Sequence, residues 1–195
     1  MQAAVAAGDI LDFWFDRAAH PHDLPTRRKE WWEKDPAFDA QVRDRFGAAV
    51  DAAIDGGFAE WAETAEGALA LVLLLDQFPR HIFRGQARAF AGDERARQVA
   101  REAVSRGFDI TLAPVMRLFL YLPFEHSESI DDQEFSLLLF SALDKELPGL
   151  DLLDYAERHR AIIAQFDRFP HRNEALGRTS TPTETEFLRQ PGSSF

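Results

Sequence analysis

Three short strings set imidazoles, carboxylates and guanidiniums around a proline: Asp76-Gln77-Phe78-Pro79-Arg80-His81, Leu122-Pro123-Phe124-Glu125-His126-Ser127 and Arg168-Phe169-Pro170-His171-Arg172-Asn173. Brought together, such groups can hold an anion and move a proton. Arg80, Arg84, Arg168, Arg172 and Arg178 are the candidate anion ligands, because a guanidinium grips a carboxylate or phosphate through two parallel N–H bonds. His126 and His171, with Glu125, are the candidate catalytic groups: an imidazole transfers protons near neutral pH, and a carboxylate such as Glu125 or Asp132 can orient it. Asp76, Asp132 and Asn173 complete the expected binding set.

The same residue types also suit a purely structural role. A helix end exposes unpaired carbonyls and the negative pole of its dipole, so Arg80, Arg168 and Arg172 can cap carbonyls or pair with Asp76, Glu125 and Asp132. No metal is expected: His126, His171, Glu125, Asp76 and Asp132 offer nitrogen and oxygen ligands, but the two imidazoles do not share the four-residue spacing of a helical metal pair. No phosphate loop, nucleophile elbow or metalloprotease string is present, and no cofactor is expected. His159, between Arg158 and Arg160 in mid-helix, reads as a surface or helix-packing residue, while His20 and His22 flank Pro21 in a solvated loop. Trp14, Trp31, Trp32 and Trp61 read mainly as core. Adjacent Trp31 and Trp32 point about 100° apart on a helix, so at most one is central to the core.

The elements that must position these groups are helices. Phe38, Val42, Phe46, Val50 and Ile54 recur every four residues behind the cap and first-turn pair Asp35-Pro36, and the pattern stops at Gly56-Gly57. A central helix is expected from about 65 to 78, apolar on every side from Ala68 to Leu75 and stopped by Pro79. Asp93 is expected to cap a segment carrying Ala96, Val99, Ala100, Ala103 and Val104 that Gly107 closes. A further helix spans about 112 to 122 and halts at Pro123. Another, marked by Phe135, Leu138, Leu139 and Leu143, runs from about 131 to 146. Leu152, Tyr155, Ile162, Ile163 and Phe166 mark a long helix that is over by Pro170. Asp9 can cap a first helix bearing Ile10, Phe13 and Trp14, and Thr181-Pro182-Thr183-Glu184 is a capping box leading to Phe187 and Leu188. No stretch alternates like a strand. The expected fold is all-α, an antiparallel array of about eight to nine helices in one domain over residues 1–195, with 191–195 a mobile tail. Alternate helices of such an array run parallel, so the three proline exits should meet at one end.

Composition narrows the partners. The formal net charge of −11, from 33 acidic against 22 basic residues, repels nucleic-acid phosphates and anionic lipid surfaces, so neither nucleic acid nor membrane is expected as a partner. With no cysteine there is no disulfide, thiolate nucleophile or cysteine-bound metal. The start has no basic segment and too short an apolar run for a secretory signal, and the block 68–75 is far below membrane-spanning length, so a cytoplasmic protein is expected.

The strings LLDQFPRHIFRGQARAF from Leu74 to Phe90, LYLPFEHSES from Leu120 to Ser129 and RFPHRNEALGRTSTPTETEFL from Arg168 to Leu188, with the aromatic entry Phe13-Trp14-Phe15, resemble the bacterial family catalogued as domain of unknown function 924. The resemblance covers nearly the whole chain. It implies a helical fold similar to tetratricopeptide-repeat proteins and no established activity. The sequence departs from the family pattern at His81, where asparagine is expected, and at Asp167, where glycine is expected.

The leading functional expectation is a helical binding protein whose polar Arg/His/carboxylate pocket accepts a small anionic ligand or an acidic peptide terminus. The alternatives are a cofactor-independent acid/base enzyme using His126 and His171, and a protein-interaction scaffold. A pocket holding an imidazole and a carboxylate within about 3 Å of each other favours the enzyme. A long open groove lined by Trp and Phe favours the scaffold.

Overall fold

The computed structural model describes residues 5–20 and 22–193. Every regular element among them is helical: α1 (Ala7–Phe15), α2 (Lys29–Trp32), α3 (Pro36–Ile54), α4 (Ala65–Val72), α5 (Phe78–Ile82), α6 (Asp93–Ser105), α7 (Pro114–Glu125), α8 (Ile130–Leu143), α9 (Leu152–Phe166) and α10 (Pro182–Phe187). A π-helical turn, Leu73–Gln77, joins α4 to α5 without interruption, which makes nine helices among the described residues. None of them is long and apolar enough to cross a membrane. Of the tail expected to be mobile, residues 194 and 195 lie outside the described residues, as does Pro21; Ser193 is buried and donates its hydroxyl to the Leu188 carbonyl at 3.2 Å.

α3 forms where its stripe and cap predict. Asp35 Oδ1 accepts from the N–H groups of Ala37 at 2.8 Å and Phe38 at 3.2 Å, and Phe38, Val42, Phe46 and Val50 are buried. The core centres on residues 69–75, all fully buried. α7, α8 and α9 pack side by side in chain order, α4 sits against α1 and α6, and α3 lies against α5.

Three expected boundaries are corrected. Pro79 does not stop the central helix. A proline removes one amide and its ring collides with the carbonyl four residues back, but the π turn widens the helix there, with Phe78 N–H reaching Leu73 O, five residues back. The loosened carbonyls find new surroundings: Leu75 O lies so close to Gly92 that any Cβ at that position would collide with it, and Asp76 O accepts from Arg80 Nη1 at 2.6 Å. Pro123 likewise sits inside α7, which ends at Glu125. The buried Gln133 side chain takes over capping, its Nε2 donating to Glu125 O and Ser127 O, each at 2.7 Å. Gly92, not Asp93, is the cap residue of α6, which leaves the Asp93 carboxylate to face other partners.

α8 is also turned relative to its apolar pattern. Asp132, Gln133 and Ser136 are buried with Phe140 and Leu143, whereas Leu138 is 65% exposed. At the end of α9, Asp167 adopts φ +57° and closes the helix with its N–H on Ile163 O. That left-handed conformation is free for the glycine expected at this position and tolerable for aspartate. α10 begins with a reciprocal cap in which Glu184 N–H donates to Thr181 Oγ1 at 3.2 Å and Thr181 N–H to Glu184 Oε2 at 2.7 Å. Phe187 packs on Phe166 with ring centroids 5.0 Å apart, and both Phe187 and Leu188 are only partly buried.

Candidate functional site

The end of α5, the end of α7, the middle of α9 and the turn Pro170–Arg172 enclose a cleft of about 690 Å³. Behind its wall lies Asp76, fully buried in the π turn. One of its oxygens, Oδ1, meets Arg80 Nη1 at 3.0 Å and His126 Nδ1 at 2.8 Å, and the other accepts from Gln77 Nε2 at 2.6 Å. Arg80 also forks onto Asp93, Nη1 to Oδ1 at 2.9 Å and Nη2 to Oδ2 at 3.1 Å. Asp93 Oδ2 then accepts from Arg172 Nη1 at 3.2 Å, and Arg172 Nη2 donates to the His126 carbonyl at 2.9 Å. The chain of bonds closes on itself: Asp76, Arg80, Asp93, Arg172, His126 and back to Asp76. The Arg172 guanidinium lies 4.7 Å above both the Phe90 and Phe169 rings. Among the described residues its buried Nε has no hydrogen-bond partner.

Burial and charge set the protonation states. Burial alone would raise the Asp76 carboxyl, but Arg80 and His126 outweigh it and hold Asp76 well below the usual carboxylate range. Burial lowers His126, and Arg80 and Arg172 lower it further against the pull of Asp76. At neutral pH the pair is therefore an ionised carboxylate and a neutral imidazole. Since Asp76 only accepts, His126 Nδ1 carries the proton, which leaves Nε2 with a lone pair. Burial, reinforced by Asp76, raises Glu125 to about 8, so it is a neutral acid at pH 7. Burial takes His159 to about 3 and, with Arg172, takes His171 to about 4, while burial and Arg80 bring Arg172 down to about 10.

Glu125 Oε1 lies 3.3 Å from His159 Nδ1, a distance suited to an ion pair, yet both groups are driven to their neutral forms. The contact is a neutral one, because His159 Nδ1–H is already given to the Tyr155 carbonyl at 2.8 Å.

The sequence-derived site residues divide into two sets. Arg80, Arg84, Glu125, His126, His171 and Arg172 line the one cleft, with Asp76 directly behind it. Arg84 is at the rim, holding Asp39 at 3.0 Å together with His81, whose Nδ1 lies 2.7 Å from the same carboxylate. The others line no part of the cleft. Asp132 accepts from Ser127 Oγ at 2.7 Å and pairs with Arg97 at 3.1 Å and with Arg101. Arg168 grips Glu184 at 2.6 and 2.8 Å, and Arg178 grips Glu128 at 2.7 and 2.9 Å while donating to Asn173 Oδ1 at 2.9 Å. Asn173 in turn donates to Ser180 Oγ at 3.0 Å. The carboxylate that orients His126 is thus Asp76, in place of the expected Glu125 or Asp132.

Sequence reasoning missed Asp93, Gln77 and His159. Asp93 was absorbed into a capping role that Gly92 fills. His159 carried a readable signal: it follows Leu152 by seven residues and precedes Ile163 by four, which puts it on the buried face of α9. Of the adjacent tryptophans, Trp31 is core, its Nε1 donating to Trp14 O at 3.0 Å, whereas Trp32 is 47% exposed at the cleft rim. Among the described residues no group of three or more His, Asp or Glu side chains is arranged to hold a metal ion.

The fold has a relative of known structure. A solved protein of unknown function from Agrobacterium tumefaciens is 44% identical, with a TM-score of 0.79 over 94% of this chain and 96% of its own. No curated protein matches the chain at a significant level. A family model covers residues 10–192, nearly the full length, and the chain belongs to that family, described as bacterial protein of unknown function (DUF924).

Proposed function

We propose that the cleft is the active site of a cofactor-independent enzyme that moves protons on a small anionic substrate. The observation that carries this reading is the buried Asp76–His126 pair at 2.8 Å, opening onto a cleft that Arg80 and Arg172 also line. In this arrangement His126 Nε2 is the general base. The neutral Glu125 carboxyl is the general acid, and the two guanidiniums hold the substrate anion and the charge that develops on it. Five arginines line the cleft (Arg27, Arg80, Arg84, Arg158 and Arg172), while Asp39, Asp76, Asp93 and Asp154, which compensate four of them, do not. Glu33 and Glu125 also line the cleft, so a ligand there meets more guanidiniums than carboxyl groups even though the chain as a whole carries −11.

A binding protein without chemistry would need only the arginines. A scaffold would present a long aromatic groove, whereas Trp14 and Trp31 are buried. The reading places the enzyme in the cytoplasm, where small organic acids are at hand and a chain without cysteine needs no oxidising compartment.

The test is a panel of 2-oxo and 3-oxo acids incubated with the protein in D2O, with exchange of carbon-bound protons and turnover followed by NMR. An accepted acid should exchange, and His126→Gln should slow that exchange by about 100-fold or more while the dissociation constant stays within a few-fold. Activity should persist below the ordinary histidine range, because His126 is lowered, and should fall above pH 8 as Glu125 loses its proton. Equal rates in wild type and His126→Gln, or binding with no exchange in either, leave a binding protein and overturn the proposal.

A further inference from the structure

We infer that the substrate is amphipathic: a monocarboxylate whose charged end sits against Arg172 and Arg80 and whose apolar body lies between Trp32 and Tyr155. This rests on the anion site proposed above and adds what the rest of the cleft is for. The imidazoles, Glu125, Arg80 and Arg172 form only part of the lining. Another part comes from α2, α7, α8 and α9 and presents Trp31, Trp32, Leu122, Phe140, Leu152 and Tyr155. These side chains carry no charge; the charged residues beside them are Arg27, Glu33 and Arg158, whose guanidinium lies 5.6 Å from the Tyr155 ring. At the rim Trp32 and Tyr155 are 47% and 48% exposed, and Trp32 is held in place by stacking on Phe119 at 6.1 Å, 20° from parallel. Large, fixed aromatic faces open to water are costly to keep bare and are suited to covering by an apolar group.

Size and charge narrow the class. The volume of about 690 Å³ falls in the range of small-molecule sites, roughly 300–1,000 Å³, and far exceeds what acetate or inorganic phosphate fills. The inner ring is already neutral, Arg80 and Arg172 against Asp76 and Asp93, so one added negative charge can be met by the guanidiniums that line the cleft. A dianion would bring a second charge against the Asp76 and Asp93 carboxylates. A carboxylate therefore fits better than a phosphate monoester.

Calorimetric titration of the full chain with acetate, butanoate, hexanoate and octanoate tests this, with 1-octanol as the neutral twin and octyl phosphate as the dianionic one. Affinity should rise about fourfold per added methylene until the cleft is filled. Octanoate should bind at least tenfold more tightly than either twin. Trp32→Ala, at a half-exposed position and checked for folding by circular dichroism, should weaken octanoate far more than acetate. Arg172→Gln should erase the advantage of octanoate over octanol; if that variant does not fold, the octanol comparison in wild type serves the same purpose. Affinity independent of chain length overturns the apolar wall as a binding surface while leaving the anion site standing. Octanol binding as well as octanoate, with chain-length dependence kept, overturns the anion site and with it the functional reading above. Octyl phosphate binding more tightly than octanoate overturns the choice of a carboxylate.

Discussion

Two clusters of arginine and carboxylate meet in sequence at Arg168 and Arg172, four residues apart, and end with opposite properties. In the segment 167–188, Arg178 forks onto Glu128 and caps Phe169 O at 3.0 Å, and Arg168 forks onto Glu184 and caps Thr179 O at 3.0 Å. In the two forks the shifts favour the charged form: Glu128 is lowered by Arg178 in spite of its burial, and Glu184 is lowered to about 2 by Arg168. This is a clamp that fastens the chain end to the body. In the ring around Asp76 the same residue types sit deeper, and the shifts run both ways: Asp76 and Arg80 are driven to their charged forms, while Glu125, His126 and His171 are driven to neutral ones. Neutral acids and bases side by side are what the proton transfer proposed above requires.

The largest difference between the two should appear on removing one charge from each. Asp76→Asn keeps the shape but leaves Arg80 and His126 facing an amide in a fully buried position. It should cost about 3–5 kcal/mol in urea unfolding, as for other broken buried pairs. A loss below about 1 kcal/mol would mean that the ring stores strain instead of stabilising the fold. Glu125→Gln should act in the opposite direction. The Glu125 carboxyl titrates near 8 in the folded chain and near the ordinary 4.5 when unfolded, so the folded state keeps a proton that the unfolded state releases between those values. Stability is therefore full below pH 4.5 and lost as pH rises through 8, at about 1.4 kcal/mol per pH unit. Relative to wild type, Glu125→Gln should gain stability on the order of 5 kcal/mol by pH 8.5 and little at pH 4. An unchanged difference across that range would show that Glu125 is ionised in the cleft.

The clamp should respond more weakly. Arg178→Ala removes the Glu128 fork, but both side chains are partly open to water, so screening holds the loss to about 1–2 kcal/mol. Hydrogen exchange should quicken in residues 167–188, while anion binding in the cleft stays as it was. Weakened binding would mean that the clamp and the ring are one unit.

Much of the frame could be read from local pattern. The four-residue stripe of α3, the Asp35 cap and the Thr181–Glu184 box are short-range features, and each formed as its spacing required. What could not be read depended on segments far apart. The helix runs through Pro79 because Leu75 O nestles against Gly92, seventeen residues on, and the polar face of α8 turns inward because Gln133 is needed to cap the end of α7. The site divides the same way. The groups at the three proline exits, Arg80, Glu125, His126, His171 and Arg172, were visible as chemistry in the chain. The pairing of His126 with Asp76, fifty residues apart, was not, because Asp132 offered a carboxylate much nearer in sequence.

The smallest expected effect is the one that decides what the ring is for. His171 lines the cleft, is only half-buried, and is neutral at pH 7, so it adds no charge to the circuit of Asp76, Arg80, Asp93 and Arg172. If the cluster were only a knot of caps and ion pairs, each member would be retained for stability, and His171→Ala would unfold more than about 1–2 kcal/mol more easily, the ordinary cost of losing a buried polar contact. If His171 instead faces a ligand, its imidazole is kept at some expense to the fold, as residues of binding sites commonly are. His171→Ala should then change stability by no more than about 0.5 kcal/mol in either direction, while anion affinity or exchange activity falls measurably. The two readings differ in sign as well as size, since the second allows a gain in stability and the first does not. Urea unfolding and octanoate titration of the same variant answer both halves: a large stability loss with unchanged binding would make the ring a second clamp and end the comparison.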